Sequence, residues 1–183
     1  MRVFHEKNFK EWLVNFFSGF YLRGEESLFS EYINTSNFTV SGFSLGAIKA
    51  FKYALESDNR IDTLQLFSPA FFQDKSKKFK RLQTIHFQKN PQNYLDEFLK
   101  NCTYPSTVDM ASFVNDGTLE DLQTLLEFVW KKDDLELLVK KGVEIEVYLG
   151  GYDKIIDSKK AYEFFKEFAT VYFIKEGGHV LHG

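Results

Sequence analysis

The sequence predicts an α/β fold: about five parallel strands with flanking helices and one helical insertion. Short apolar runs rich in β-branched and aromatic residues alternate with amphipathic stretches in both the first and the last part of the chain. The links between them are short, which calls for parallel pairing through right-handed crossovers. Between residues 72 and 141 the strand signal disappears and charge-rich, helix-like sequence replaces it. With 183 residues, 44% hydrophobic and 27% charged, the chain has the size and composition of one globular domain able to bury a core.

Each element has its own justification. WLVNFF (residues 12–17), closed by Ser18-Gly19, reads as a buried strand. Residues 25–34 place Leu28, Phe29, Tyr32 and Ile33 at helical spacing behind acids that suit a helix N-terminus. Residues 38–42 form the second strand. Residues 47–55 carry Ala47, Ile48, Phe51, Ala54 and Leu55 on one helical stripe, stopped by Ser57-Asp58-Asn59. IDTLQLF (residues 61–67) is the third strand, ended by Ser68-Pro69. The insertion opens with QDKSKKFKRLQ, turns at Asn90-Pro91 and Tyr104-Pro105, and is strongly helix-like from residue 119 to 139. In GVEIEVYLGG, Val143, Ile145, Val147 and Leu149 alternate with Glu144, Glu146 and Tyr148, a fourth strand. Residues 159–168 are an amphipathic helix, and residues 170–174 a last strand before KEGGHVLHG. The expected organisation is a core of residues 1–71 and 142–183 with a helical lid insertion over residues 72–141.

Composition excludes several classes of function. A formal net charge of −3 argues against a nucleic-acid binder that relies on an overall basic field. Cys102 is the sole cysteine, so neither an internal disulfide nor a thiolate zinc site is expected. No apolar run approaches the ~20 residues of a membrane span. Glu6, Lys7, Lys10 and Glu11 stand where a signal peptide needs its apolar stretch, so a reduced, cytoplasmic setting is the expectation. Aromatic residues reach 17%, carried by 21 Phe, which predicts a Phe-rich core or ligand cavity.

The most informative stretch is FTVSGFSLGAIKA, in which Gly42-Phe43-Ser44-Leu45-Gly46 joins a strand to a helix. In a nucleophile elbow the serine sits in a strained strand-to-helix turn, and residues two away are small because backbones approach too closely for side chains. The turn lifts the hydroxyl above the carboxyl edge of the sheet, at a helix N-terminus where the next N–H can stabilise an oxyanion. The other reading is a tight glycine turn with Ser44 as a helix N-cap.

A serine nucleophile needs a base, and the base an orienting acid, in the chain order serine, acid, histidine. His179 follows the last strand in Gly177-Gly178-His179, at the carboxyl edge expected for Ser44; His182 is the fallback. His5 precedes the elbow and His86 lies in the insertion. Asp153 follows the fourth strand, again at the carboxyl edge. Asp157 is the runner-up and also suits the cap of the next helix. No acid directly follows the strand ending in Ser68-Pro69, which removes the main alternative place for one.

GFSLG with Ser44, GGYD with Asp153 and GGH with His179 together resemble the α/β-hydrolase superfamily over essentially the whole chain. Ser18-Gly19-Phe20 followed by EESLF looks like that family's oxyanion loop, although its usual His-Gly pair is Ser18-Gly19 here. The resemblance implies an oxyanion hole made of the Phe20 and Leu45 amides, and a helical lid where the insertion lies. A full member has eight strands in the order 1-2-4-3-5-6-7-8, and the five here match strands 3, 5, 6, 7 and 8. Losing strands 1, 2 and 4 removes one contiguous edge, so the remaining five would still form an unbroken, minimal α/β-hydrolase sheet. With no room for the usual final helix, Glu144 and Glu146 are expected on a partly uncovered face, both exposed.

Among small hydrolases, FFSGF, VSGFSLGAIKA and LFSPAFFQDK are most similar to the BioV-type pimeloyl-[acyl-carrier protein] methyl ester esterases of biotin synthesis. That resemblance implies hydrolysis of a methyl ester on an acyl chain still attached to acyl carrier protein, with no metal or organic cofactor needed. Phe43, Phe71 and Phe72 would line the acyl channel, unless they are core. Lys75, Lys77, Lys78, Lys80 and Arg81 would dock the acidic carrier protein, the other reading being a solvated helix face. A general carboxylesterase or acyl thioesterase with the same residues, and a non-catalytic binding module of the same fold, are the rival expectations.

Overall fold

The computed structural model describes residues 15–183. The readings placed on His5, the charged residues 6–11 and Trp12, Leu13 and Val14 lie outside the described residues. Five strands form one sheet in chain order: β1 (Phe16–Phe17), β2 (Thr39–Phe43), β3 (Thr63–Phe67), β4 (Glu144–Gly150) and β5 (Thr170–Ile174). Every neighbouring pair is parallel, with Phe43 opposite Phe67 and Phe67 opposite Tyr148. Among the described residues six α-helices accompany them: α1 (Leu45–Glu56), α2 (Lys77–Lys89), α3 (Pro91–Thr103), α4 (Leu119–Glu127), α5 (Lys132–Lys140) and α6 (Ser158–Phe165). This is the expected five-stranded parallel sheet with flanking helices and an inserted helical region.

Strand alternation sorts the sheet into two unlike faces. Val40, Leu64, Leu66, Ile145, Val147 and Leu149 belong to the main core, against which α1, α5 and α6 pack. The opposite face carries Phe43, Phe67 and Tyr148, with Phe16 and Phe29 stacked on them; Phe29 and Phe67 are 4.7 Å apart between ring centres. On this face the ring stack gives way to polar residues. Gln65 Nε2 donates to Glu146 Oε2 at 2.7 Å, the Tyr148 hydroxyl donates to the same oxygen at 2.9 Å, and Gln65 Oε1 accepts the Asn34 N–H at 2.8 Å. Glu144 is exposed as expected, but Glu146 is half-buried, because Gln65 and Tyr148 satisfy its carboxylate within the sheet.

Three elements differ from their sequence expectations. The stretch over residues 25–34 is not a full helix but a five-residue 3-10 turn, Glu25–Phe29, entered from Gly24 at φ 75°. It ends where Phe29, fully buried, wedges between Phe43 and Phe67. The run from 119 to 139 is two helices, because Trp130 leaves the helical path to enter the core. Its indole Nε1 donates to the Ala70 carbonyl at 2.9 Å and its backbone N–H to Gln73 Oε1 at 2.7 Å. Helix α6 stops at Phe165 rather than 168, where Phe168 and Ala169 fold back to donate to the Phe165 carbonyl.

Candidate active site

Parallel strands bring the ends of β2, β3, β4 and β5 to one edge, and the loops that leave them carry the candidate residues. Ser44 joins β2 directly to α1 at φ 54° and ψ −111°, a conformation that costs a non-glycine residue about 1–3 kcal/mol. The surrounding backbone holds it there. The Ser44 N–H donates to the Phe67 carbonyl at 2.9 Å, and its carbonyl accepts from Ala47 at 3.1 Å and Ala70 at 3.2 Å. The two flanking glycines are required by contact: a Cβ at Gly42 would lie 2.2 Å from the Gly46 oxygen, and one at Gly46 would lie 1.8 Å from the Phe17 oxygen. Ser44 makes no side-chain cap, so the N-cap reading of this serine does not describe it.

His179 Nε2 lies 3.1 Å from Ser44 Oγ, and His179 Nδ1 lies 2.6 Å from Asp153 Oδ2. The side chains of His179 and Asp153 are both fully buried. Asp153 is itself oriented: its Oδ1 accepts the Ile155 N–H at 2.7 Å and the Ile156 N–H at 3.0 Å. Its second oxygen, set to accept from Nδ1–H, selects the imidazole tautomer with the proton on Nδ1 and leaves Nε2 to accept the Ser44 hydroxyl. The Phe43 ring supports the imidazole at 5.0 Å between ring centres.

The alternatives fall elsewhere. Asp157 caps α6 by accepting the Lys160 N–H at 3.1 Å, and His182 donates to the Leu28 carbonyl at 2.7 Å. His86 is exposed on α2. Cys102 is fully buried, and burial together with the nearby Asp153 charge pushes its thiol well up, which keeps it an unreactive thiol. Among the described residues no three His, Cys, Asp or Glu side chains converge as metal ligands. No helix among them is long and apolar enough to cross a membrane.

Ser44 opens into a cavity of about 200 Å³. Its apolar wall comes from Phe20, Phe72, Phe79, Phe98, Leu122, Leu125, Leu126 and Ile155, and its polar lining from Gln83, Tyr94, Glu97, Asn101 and Lys154. The Tyr94 hydroxyl donates to Gln83 Oε1 at 2.9 Å, and burial raises the Tyr94 phenol above its ordinary value. Of the three expected channel residues, Phe72 lines this cavity and the other two do not. Phe43 alternates to the far sheet face, beneath His179, and Phe71 points into the core against Phe164 and Phe165. The N–H groups of Phe20 and Leu45 donate to no other group among the described residues. In the basic cluster, Lys75 is paired with Asp74 at 3.0 Å and Lys80 with Glu127 at 3.5 Å. Lys77, Lys78 and Arg81 are exposed, with no ion pair among the described residues.

Sequence reasoning missed the polar lining on α3 and Glu25. Tyr94, Glu97 and Asn101 are spaced for one helix face, a signal that was readable, but nothing in the sequence says that this face turns toward Ser44. Glu25 reads as a first-turn acid, whereas it is fully buried and accepts the Gly19 N–H at 2.6 Å.

No protein-family model and no curated protein sequence matches the chain. Solved structures do. An esterase of Exiguobacterium antarcticum superposes with a TM-score of 0.63 at 19% identity, over 77% of this chain and 59% of that one. MenH from S. aureus gives a TM-score of 0.57 at 14% identity, covering 90% of this chain and 85% of that one. BioG from Haemophilus influenzae gives 0.56 at 12% identity, covering 91% and 87%. The chain spans only 59% of the first esterase and 53% of carboxylesterase CesB from Bacillus subtilis. These likenesses establish a minimal α/β-hydrolase fold.

Proposed function

We propose that this chain is a serine carboxylesterase in which Ser44 is the nucleophile, His179 the general acid–base and Asp153 its orienting acid. The observation that carries this is the unbroken Ser44–His179–Asp153 chain, at 3.1 and 2.6 Å, opening into a cavity lined by the insertion. The names of an esterase from Exiguobacterium antarcticum and of two carboxylesterases from Bacillus subtilis among the similar structures support the same class.

His179 Nε2 takes the hydroxyl proton as Ser44 Oγ attacks the ester carbonyl, and Asp153 stabilises the imidazolium. The Phe20 and Leu45 amides hold the resulting oxyanion, each worth roughly 3–4 kcal/mol of transition-state stabilisation. Collapse breaks the bond to the alkoxy group, which leaves as the alcohol with the His179 proton. Water, deprotonated by His179, then attacks the acyl-enzyme and releases the acid and free Ser44. At about 200 Å³ the cavity is smaller than the roughly 300–1,000 Å³ of sites that enclose drug-sized ligands, which favours a short acyl or alkyl group over a long lipid chain.

Within this class the finer reading is the methyl ester of pimeloyl-acyl carrier protein, cleaved to pimeloyl-acyl carrier protein and methanol. It rests on the sequence resemblance and on the exposed Lys77, Lys78 and Arg81, whose charge suits an acidic carrier. Hydrolysis of methyl-pimeloyl carrier protein and of short p-nitrophenyl esters, by wild type and Ser44→Ala, tests both levels. Activity on both substrates that Ser44→Ala abolishes is the expected result. Activity on simple esters alone defeats the carrier-linked substrate and leaves the esterase. Folded protein that neither hydrolyses esters nor is labelled on Ser44 by a fluorophosphonate is a binding module instead.

A further inference from the structure

The loop that carries the Phe20 amide is held from behind by a carboxyl group. Glu25 is 0% exposed, and its Oε1 accepts the Gly19 N–H at 2.6 Å. The next peptide is fixed from its other side, where the Gly19 carbonyl accepts the Leu22 N–H at 3.2 Å. A trans peptide is planar, so the carbonyl and N–H of the Gly19–Phe20 unit point in opposite directions. With that oxygen drawn toward Leu22, the Phe20 N–H faces away from the turn. Phe20 and Ser44 line the same cavity.

The loop needs such a clamp. Tyr21 sits at φ 62°, an unfavourable conformation for an aromatic residue, and Gly19 lies so close to Phe43 that a Cβ would be 2.8 Å from its ring. The Ser18 hydroxyl contributes by accepting the Gly24 N–H at 3.3 Å. Burying a carboxyl group is expensive, and Glu25 Oε2 has no hydrogen-bond partner among the described residues. Packing alone would be better served by an apolar side chain of similar size. Burial pushes the Glu25 carboxyl above its ordinary value, and the Gly19 N–H opposes that shift.

We propose that Glu25 is the positioning residue of the oxyanion site, its carboxyl fixing the Ser18–Gly19 peptide so that the Phe20 amide meets the oxygen of the reacting carbonyl. This rests on the esterase reading above. Glu25 touches no substrate; it acts through Gly19 and Phe20.

The test compares wild type with Glu25→Gln, Glu25→Asp and Glu25→Leu in ester hydrolysis and in the rate of fluorophosphonate labelling of Ser44, with thermal melts to register stability. Glu25→Leu removes the acceptor, and Glu25→Asp withdraws it by one methylene. Both should lower kcat by about 10²-fold, the scale of a misplaced catalytic group, with KM within about twofold. Labelling should slow in parallel, because the phosphonyl oxygen uses the same amides. Glu25→Gln keeps an oxygen acceptor of the same reach and should stay within about fivefold of wild type, a rescue that a purely steric role for the acceptor would not single out. Should Glu25→Leu fail to fold, Glu25→Asp carries the same comparison. Folded Asp or Leu variants with wild-type kcat and labelling overturn the positioning role while leaving the esterase intact, and so does a Gln variant as slow as the Leu one. A wild type that neither hydrolyses nor labels overturns the esterase reading and this inference with it.

Discussion

Ser44 and Asp153 stand at the carboxyl edge of the sheet and are held by backbone hydrogen bonds, with His179 clasped between their side chains, whereas the insertion reaches the same cavity with side chains from helices. At the edge, the Phe67 carbonyl of β3 fixes Ser44 and amides after β4 fix Asp153, and β1 and α1 meet so closely at Gly46 that no side chain fits. In the insertion, Phe79, Phe98 and Leu126 shape the cavity by filling space, as other apolar residues would in other proportions. The two regions therefore divide the work. On the proposed reading, the edge positions the reacting side chains through backbone contacts, and the insertion sets what is admitted.

Substitutions should separate the two regions by the size and kind of their effects. The largest effect is expected from Asp153→Asn, which frees the imidazole to take the wrong tautomer: kcat should fall about 10⁴-fold while the melting temperature moves little. Gly46→Ala comes next, because a Cβ 1.8 Å from the Phe17 oxygen forces β1 and α1 apart. It should cost about 1–3 kcal/mol or more, seen as a lower melting temperature, and depress kcat by tilting the elbow. In the insertion, Phe98→Ala should raise KM about tenfold for the preferred acyl group with kcat nearly unchanged, the signature of lost uniform binding. A kcat loss there as large as that of Asp153→Asn would erase the distinction between the regions. Smaller again, Lys77→Glu, Lys78→Glu and Arg81→Glu together should weaken turnover of carrier-linked substrate a few-fold, about tenfold at low salt, and spare small esters. Equal effects on both substrates would remove these residues from any docking surface.

The smallest effect concerns pH. The folded-state carboxyl of Glu25 is raised above its ordinary value of 4.5. Between those two values the folded chain binds more protons than the unfolded one, so this residue's contribution to stability falls as pH rises through the window. Thermal melts of Glu25→Gln across that range should show a flatter slope than wild type.

Strand alternation and glycine spacing made the sheet and the elbow legible from sequence, because both follow from local periodicity and sterics. The order of Ser44, Asp153 and His179 was readable for a related reason: parallel strands send all their carboxyl ends to one edge. Local pattern misjudged the places where a long-range contact outweighs propensity. Trp130 breaks a helix to reach Ala70, sixty residues back in the chain. Glu146 is drawn out of solvent by Gln65 and Tyr148. Phe43 and Phe71 are as apolar as Phe72, and only the direction in which each backbone turns separates cavity from core.

The amino-acid sequence by itself determined the parallel α/β order, the serine between two glycines, and which acid and histidine follow strand ends, since these depend on neighbours within a few residues. Tertiary structure alone decided that His182 serves as a loop tether, that α3 turns Tyr94 and Asn101 toward Ser44, and that Glu25 lies buried behind Gly19. Each of those outcomes depends on which distant donor or acceptor a polar group meets when water is excluded, and that meeting is set by the packed chain as a whole.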